Sequence, residues 1–331
     1  MTAHSPVSGG GKGRNLPLGP GIEFDRIRRI ADRLGSQAVG LGDDCGLIRE
    51  GEEFLAISTD VSVEGVHFRP QWISPEEVGW RATAAALSDL AAEGALPVGL
   101  LAAVSMPARA SEAHLLALMS GVGEAAKQVG ADVLGGDIST GPVWSVAITV
   151  VGRTRAPVTR GGAVPGDRLW VSGSLGGARV ALEAWRRNEQ PTPAARARFA
   201  HPEPRIVAGR WLARHGARAM IDLSDGLGGD AGHLAAASGV ALEVNLDALP
   251  IDDEVDPAAT RTGLSPQQFA AEGGEDFELL VAMPPRFNAA DAFARDCGIS
   301  LTPIGNVEKG SGVRFLLDGG PITLTGFNHF G

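Results

Sequence analysis

The sequence predicts an α/β (α+β) protein built as two similar halves, with mixed sheets packed against helices. Three observations carry that prediction. Apolar strand-like runs alternate along the chain with longer stretches of helical period. At 331 residues, the chain exceeds what one core comfortably organises. Residues 153–167, RTRAPVTRGGAVPGD, interrupt the pattern near mid-chain with glycine, proline and basic side chains. The expected division is a disordered tail over 1–20, an N-terminal unit over 21–152 and a C-terminal unit over 153–331.

The elements follow in order. A helix is expected over about 22–34, with Ile22, Ile27, Ile30 and Leu34 on its apolar face. Two strands follow, around CGLIRE and EFLAISTD, split by Gly51. The stretch SPEEVGWRATAAALSDLAAEGA opens with Ser74 as N-cap, Pro75 at the first helical position and Glu77 completing a capping box. A strand near 98–106, a helix near 111–129 and strands near 132–134 and 143–152 complete the first half. The second half opens with the strand RLWVSG, a glycine turn and the helix GARVALEAW. A helix near 203–215, AMIDLSD, a helix near 228–238 and the strand VALEVNL come next, and mixed strands and helices continue to the end.

Composition narrows the function classes. A net charge of −10 argues against nucleic acid as the main partner, because a basic face is its electrostatic footprint. No uninterrupted apolar run has transmembrane length, so no membrane role is expected. The two cysteines, Cys45 and Cys297, are too few for a disulfide framework and lack metal-ligand spacing, which fits a cytoplasmic protein with reduced thiols. GGGKGR at 9–14 resembles a phosphate loop only in passing: no strand precedes it and no Ser or Thr follows the lysine.

The informative residues are acidic. GLGDDCGLI places Asp43 and Asp44 together in an apolar, glycine-punctuated stretch, where an unpaired carboxylate is costly. Asp60 ends ISTD, Asp137 sits in LGGDIST, and IDLSDGLGGD carries Asp222, Asp225 and Asp230. GGEDFELL carries Glu275, Asp276 and Glu278. Most of them end an apolar run or adjoin glycine, where a strand finishes and a turn presents a side chain to a ligand. Asp89 shares one helix face with Val78, Ala82 and Ala85, while Trp80 and Leu87 make the opposite face apolar too. A carboxylate in so buried a helix reads as a metal ligand, with an inward cap as the alternative. Taken singly, each other carboxylate reads as a turn or cap. Together they suggest several Mg²⁺ ions and a polyphosphate, since hard cations take oxygen ligands alongside phosphate oxygens. GGD at 135–137 and GSLGG at 173–177 offer backbone N–H groups to phosphate oxygens.

In order, GLGDDCGLI, ISTDVSVEGVHF, LSDLAAEGALP, LGGDISTGP, VPGDRLWVSG, HPEPR, IDLSDGLGGD, GGEDFELL, PIGNV and GFNHF resemble the thiamine-monophosphate kinase family, within the aminoimidazole ribonucleotide synthetase-like superfamily. The resemblance spans about residues 22–330. It implies a two-domain fold and transfer of the γ-phosphoryl of ATP to thiamine monophosphate with several Mg²⁺ ions. It also implies a homodimer formed through the N-terminal domain. On matching positions, Asp44, Ser58, Thr59, Asp60, Asp89, Asp137, Asp222 and Asp225 are implied metal ligands, with Asp44, Asp89 and Asp222 central to catalysis. Gly136, Asp137, Arg160, Ser224 and Asp225 are implied on the ATP side, and His67, Glu275 and Phe327 as contacts to thiamine monophosphate.

The chain departs from the family pattern at Val61, Ser62, Ala86, Thr140, Phe327 and Asn328, none of them an implied Mg²⁺ ligand. Two other readings stay open: a related ATP-dependent enzyme with another acceptor, and a non-catalytic sensor of ATP or thiamine diphosphate.

Overall fold

The computed structural model describes residues 15–326, so GGGKGR at 9–14 and Phe327 lie outside the described residues. The first half contains α1 (Ile22–Leu34), β1 (Gly46–Glu50), β2 (Glu53–Val63), α2 (Pro75–Ala92), β3 (Leu96–Met106), α3 (Glu112–Gln128), β4 (Asp132–Thr140) and β5 (Ser145–Thr154). The second contains β6 (Arg168–Ser172), α4 (Gly177–Arg186), α5 (Pro193–Ala200), α6 (Ile206–Arg214), β7 (Ala219–Asp222), α7 (Leu227–Ser238) and β8 (Ala241–Asn245). It continues with α8 (Val255–Thr262), α9 (Pro266–Ala271), β9 (Leu279–Met283), α10 (Ala290–Cys297), β10 (Leu301–Glu308), β11 (Gly312–Leu317) and β12 (Gly320–Ile322). This is the mixed α/β architecture that the sequence predicts.

Each half has its own sheet. The first runs β1-β2-β5-β3-β4 and the second β12-β11-β8-β10-β6-β9-β7. Pairing is antiparallel except for β3–β4 and β8–β11. A parallel neighbour needs a crossover, and α3 supplies the one between β3 and β4.

α2 holds the halves together. Its N-terminus has the expected reciprocal cap: the Glu77 N–H donates to Ser74 Oγ at 3.3 Å, and the Ser74 N–H to Glu77 Oε2 at 2.7 Å. One side of the helix packs on β2, β3 and β5, and another on α5, α6 and β7 of the second half. Leu87, Leu90 and Ala91 share one buried cluster with Leu100, Ile148, Trp211 and Leu212. Small residues set how closely the helices approach. A Cβ added at Gly121 of α3 would lie 1.8 Å from Glu76 O, and one at Gly209 of α6 would lie 1.9 Å from Ala91 O. The Ala/Gly-rich composition thus serves backbone-close packing around α2.

Three expectations need correction. α1 forms where predicted, but Ile22, Ile30 and Leu34 are exposed, and the half-buried stripe runs through Phe24, Ile27 and Ala31. The helix lies at the rim and is anchored by Phe24, whose ring stacks on His233 at 3.7 Å. GGD at 135–137 is not a turn: it lies inside β4, paired with Leu101, Ala102 and Ala103 of β3. Residues 15–20, read as tail, include Leu16, whose N–H donates to Leu41 O at 2.8 Å.

Two strand edges of the first sheet have no partner among the described residues. β1 covers β2 only over Glu53–Ile57, leaving 58–63 open on that side, and the outer edge of β4 is unpaired. Leu96, Val98, Leu101, Val133, Leu134 and Ile138 on β3 and β4 are exposed.

Candidate active site

The loop before β1, the strand β2, the helix α2 and the end of β7 converge on three carboxylates. Asp44, Asp89 and Asp222 each offer an oxygen, and these oxygens all lie within 4.8 Å of one another. Ser58 Oγ donates to Asp89 Oδ2 at 2.5 Å. The twin aspartates separate by role. Asp43 Oδ1 accepts the backbone N–H groups of Asp44 (3.2 Å) and Arg160 (2.9 Å), so it caps the turn. Asp44 turns inward, where Arg160 donates to its Oδ1 through Nη2 at 2.5 Å and Nε at 3.1 Å.

The cluster carries more negative charge than its surroundings balance. Burial first, then the charge of Asp44, pushes the Asp222 carboxyl up to about 7. Burial, then Asp222 and Asp44, raises Asp89 well above the carboxylate range. Asp43 is likewise pushed up to about 7, by burial and then Asp44. Clustered acidic oxygens that oppose one another's ionisation are a donor set for a hard cation, so Mg²⁺ fits here.

A pH dependence follows. Asp43 and Asp222 are pushed up to about 7 in the fold from the ordinary carboxyl value of 3.8. A raised folded pKa gives stability that is full below the unfolded value and is lost as pH rises through the folded one. The metal-free chain is therefore expected to melt lower at about pH 8 than at about pH 5, and millimolar Mg²⁺ to raise the melting temperature far more at the higher pH. Melting curves in EDTA and in Mg²⁺ test this; a metal-free melting temperature that rises over that span contradicts it.

The cluster lines a cavity of about 540 Å³ that also reaches Thr59, Asp60, Arg81, Arg160, Ser224 and Asp225. A second cleft of about 310 Å³ shares His67, Ser224 and Glu275 with it. The shared residues are fixed by backbone. The Glu275 N–H donates to Ser224 O at 2.8 Å, and the Phe277 N–H to Leu223 O at 2.9 Å. Glu275 and Phe277 sit at φ 72 and 51, left-handed conformations that cost non-glycine residues and gather at functional sites. The Val63 N–H donates to His67 Nδ1 at 3.0 Å, so a neutral His67 carries its proton on Nε2.

Most residues singled out from sequence thus meet in one place: Asp44, Ser58, Asp60, His67, Asp89, Arg160, Asp222, Ser224, Asp225 and Glu275. Strand alternation sends the side chains of Ser58 and Thr59 to opposite faces of β2, and the Thr59 hydroxyl meets that of Thr149 at 2.9 Å. A cation on the Ser58 side would therefore meet Thr59 through its main chain. Gly136 and Asp137 are not brought into this cavity. Asp60 pairs with Ile148, Ile148 with Ala102, and Ala102 with Gly136. Three strand spacings, about 14 Å, therefore separate Asp60 from Gly136 within the sheet. Phe327 lies outside the described residues.

The GSLGG loop does not keep its amides open for phosphate. Asp276 accepts the Gly176 N–H at 2.7 Å and, just past the loop, the Ala178 N–H at 3.5 Å, while the Gly173 and Leu175 N–H groups donate to Ser300 O and Pro250 O. Glu278 is also structural: fully buried, it takes Arg205 at 2.6 and 2.9 Å and the Ser172 hydroxyl at 2.6 Å. Asp230 accepts the Asp225 N–H at 3.2 Å and braces that turn. Sequence reasoning missed Arg81, although four- and eight-residue spacings put it on the Asp89 stripe of α2.

The two sheets and the acidic cleft beside α2 are those of the aminoimidazole ribonucleotide synthetase-like class. The family model described as AIR synthase related protein, N-terminal domain, matches residues 42–154, and its C-terminal counterpart matches 164–318. The chain is 34% identical over 318 residues to thiamine-monophosphate kinase of Mycobacterium tuberculosis, covering 95% of this chain and 92% of that one. It is 35% identical over 313 residues to the Aquifex aeolicus thiamine-monophosphate kinase, covering 93% and 98%. A solved structure described as AaThiL complexed with AMPPCP and TMP superposes with TM-score 0.84 at 34% identity, covering 94% of this chain and 97% of that one. The chain belongs to the thiamine-monophosphate kinase family. It is an enzyme, an ATP-binding phosphotransferase of thiamine biosynthesis.

Proposed function

We propose that this chain moves the γ-phosphoryl of ATP onto the phosphate of thiamine monophosphate, giving thiamine diphosphate and ADP, in a single in-line displacement assisted by several Mg²⁺ ions. The observation that carries the reading is the junction of the two cavities, with the three-carboxylate cluster on one side and His67, Ser224 and Glu275 at the passage. The similar solved structure holding AMPPCP and TMP together supports the same pair of ligands.

An acceptor phosphate with a second pKa of about 6 is already largely dianionic near neutrality, so its oxygen attacks without a general base. The task left to the protein is to place two anions in line and neutralise them. Asp44, Asp60, Asp89 and Asp222 would hold Mg²⁺, with Ser58, Thr59 and Asp225 adding oxygen; the ions supply charge neutralisation and Lewis acidity at the phosphates. Arg160 orients Asp44 while facing the same cavity, and Ser224 and Asp225 line the nucleotide side. His67 lines both cavities where they meet, and Glu275 offers a carboxylate to the cationic thiazolium.

Asp137 joins the site by dimerisation. The open edge of β2 at 58–63, the open outer edge of β4 and the exposed apolar side chains of β3 and β4 support a homodimer in which β4 of one protomer approaches β2 of its partner. Gly136 and Asp137 would then serve the partner's nucleotide, across a gap that their own sheet does not close. Two free cysteines and the absence, among the described residues, of any helix long and apolar enough to cross a membrane support a cytoplasmic location.

The decisive assay supplies the purified chain with Mg-ATP and thiamine monophosphate, with free thiamine as control acceptor. Thiamine diphosphate from the monophosphate alone is the expected product. With a γ-phosphoryl group chiral at phosphorus, inversion is expected, whereas net retention would replace direct transfer by a phosphoenzyme route.

A further inference from the structure

The passage between the two cavities raises an electrostatic problem that the carboxylate cluster does not address. Cations held by Asp44, Asp89 and Asp222 would act on the nucleotide side, whereas on the kinase reading the acceptor's phosphate would enter from the side of His67 and Glu275. Most buried arginines near the site are committed elsewhere. Arg160 engages Asp44, and Arg205 chelates Glu278.

Arg81 is placed differently, against Glu275 where the two cavities meet. It is 3% exposed, lines the cluster's cavity and lies on the α2 stripe of Ala85 and Asp89. Nη1 donates to Phe199 O at 2.7 Å and Nη2 to the Glu275 carboxylate, and the guanidinium sits 3.8 Å from the centroid of the Phe199 ring. Glu275 borders both cavities, while Asp60 lines the one that Arg81 faces. Two of the five Arg81 N–H donors have Phe199 O and Glu275 as partners, and the planar fork matches phosphate oxygens.

Resting on the kinase reading above, we propose that Arg81 binds the phosphoryl group of the acceptor and holds it at the passage, in line with the group being transferred. Glu275 supports the guanidinium from the acceptor side. An acceptor oxygen forms the new bond to the γ-phosphorus as the bond from that phosphorus to the β,γ-bridging oxygen breaks, and ADP leaves with that electron pair. No proton moves. Arg81 thereby distinguishes thiamine monophosphate from thiamine.

The test is calorimetric titration of thiamine monophosphate and of free thiamine into the wild type, Arg81→Met and Arg81→Lys. The wild type is expected to prefer the monophosphate. Arg81→Met is expected to shrink that preference at least about 10-fold, by weakening the monophosphate relative to thiamine, and Arg81→Lys to keep part of it. An unchanged preference in Arg81→Met overturns the proposal, as does equal weakening of both ligands, which marks a purely structural role. If Arg81→Met fails to fold, the Arg81→Lys ratio decides alone: a preference equal to wild type overturns the proposal. A wild type that binds both ligands equally overturns it too. Failure of the wild type to form thiamine diphosphate, by contrast, sinks the kinase reading itself.

Discussion

Asp89→Asn is expected to lower kcat by at least about 10³-fold, equivalent to about 4 kcal/mol of barrier, and to raise the melting temperature of the metal-free chain. The two effects share one cause. Asp89 is among three carboxylates whose oxygens lie within 4.8 Å, and burial together with Asp222 and Asp44 opposes its ionisation. Without a cation the cluster is a liability to the fold, and removing one acidic group relieves it. With the nucleotide present, the same group would, on the proposed mechanism, anchor the ions that neutralise its phosphates. Asparagine keeps the shape and accepts from Ser58, so folding should survive. Steady-state kinetics and melting with and without Mg²⁺ measure both parts. A variant within a few-fold of wild-type turnover would refute the metal-cluster mechanism.

Mixing two inactive variants should restore activity. Asp89→Asn and Asp137→Asn are each expected to be nearly inactive, yet co-refolding them in equal amounts should recover about a quarter of wild-type activity. Half of the random dimers are then mixed, and in each of these one site draws an intact Asp89 from one protomer and an intact Asp137 from its partner. Were Asp137 to act within its own chain, both sites of every mixed dimer would be defective and the mixture would stay dead. The separation of about 14 Å within the sheet is what favours recovery. Sedimentation of the same samples tests the dimer directly.

Much of the cavity was legible because its signals are local. Asp44, Asp60 and Asp222 lie in or beside short apolar or glycine-rich runs, and Asp89 is conspicuous as a carboxylate on an apolar helix. Signals that depend on partners were not legible. GSLGG looks like a phosphate loop until Asp276, about a hundred residues away, takes its Gly176 amide and distant carbonyls take those of Gly173 and Leu175. GGD looks like a turn until β3 pairs with it. Arg81 looks like an ordinary helix-surface charge until Phe199 and Glu275 close over it.

The sequence by itself determined the alternation of strands and helices, the capped start of α2 and the acidic residues that line the cavity, because each depends on side chains within a few positions of one another. The tertiary structure alone decided which acids face one another and which are spent on backbone amides. It also decided that Asp137 stands three strands from Asp60 and that Arg81 faces the acidic cavity while paired to Glu275, which borders both cavities. The physical reason is that charge and hydrogen-bond partners act over a few ångströms of space, while the chain brings together residues such as Arg81 and Glu275 that are 194 positions apart.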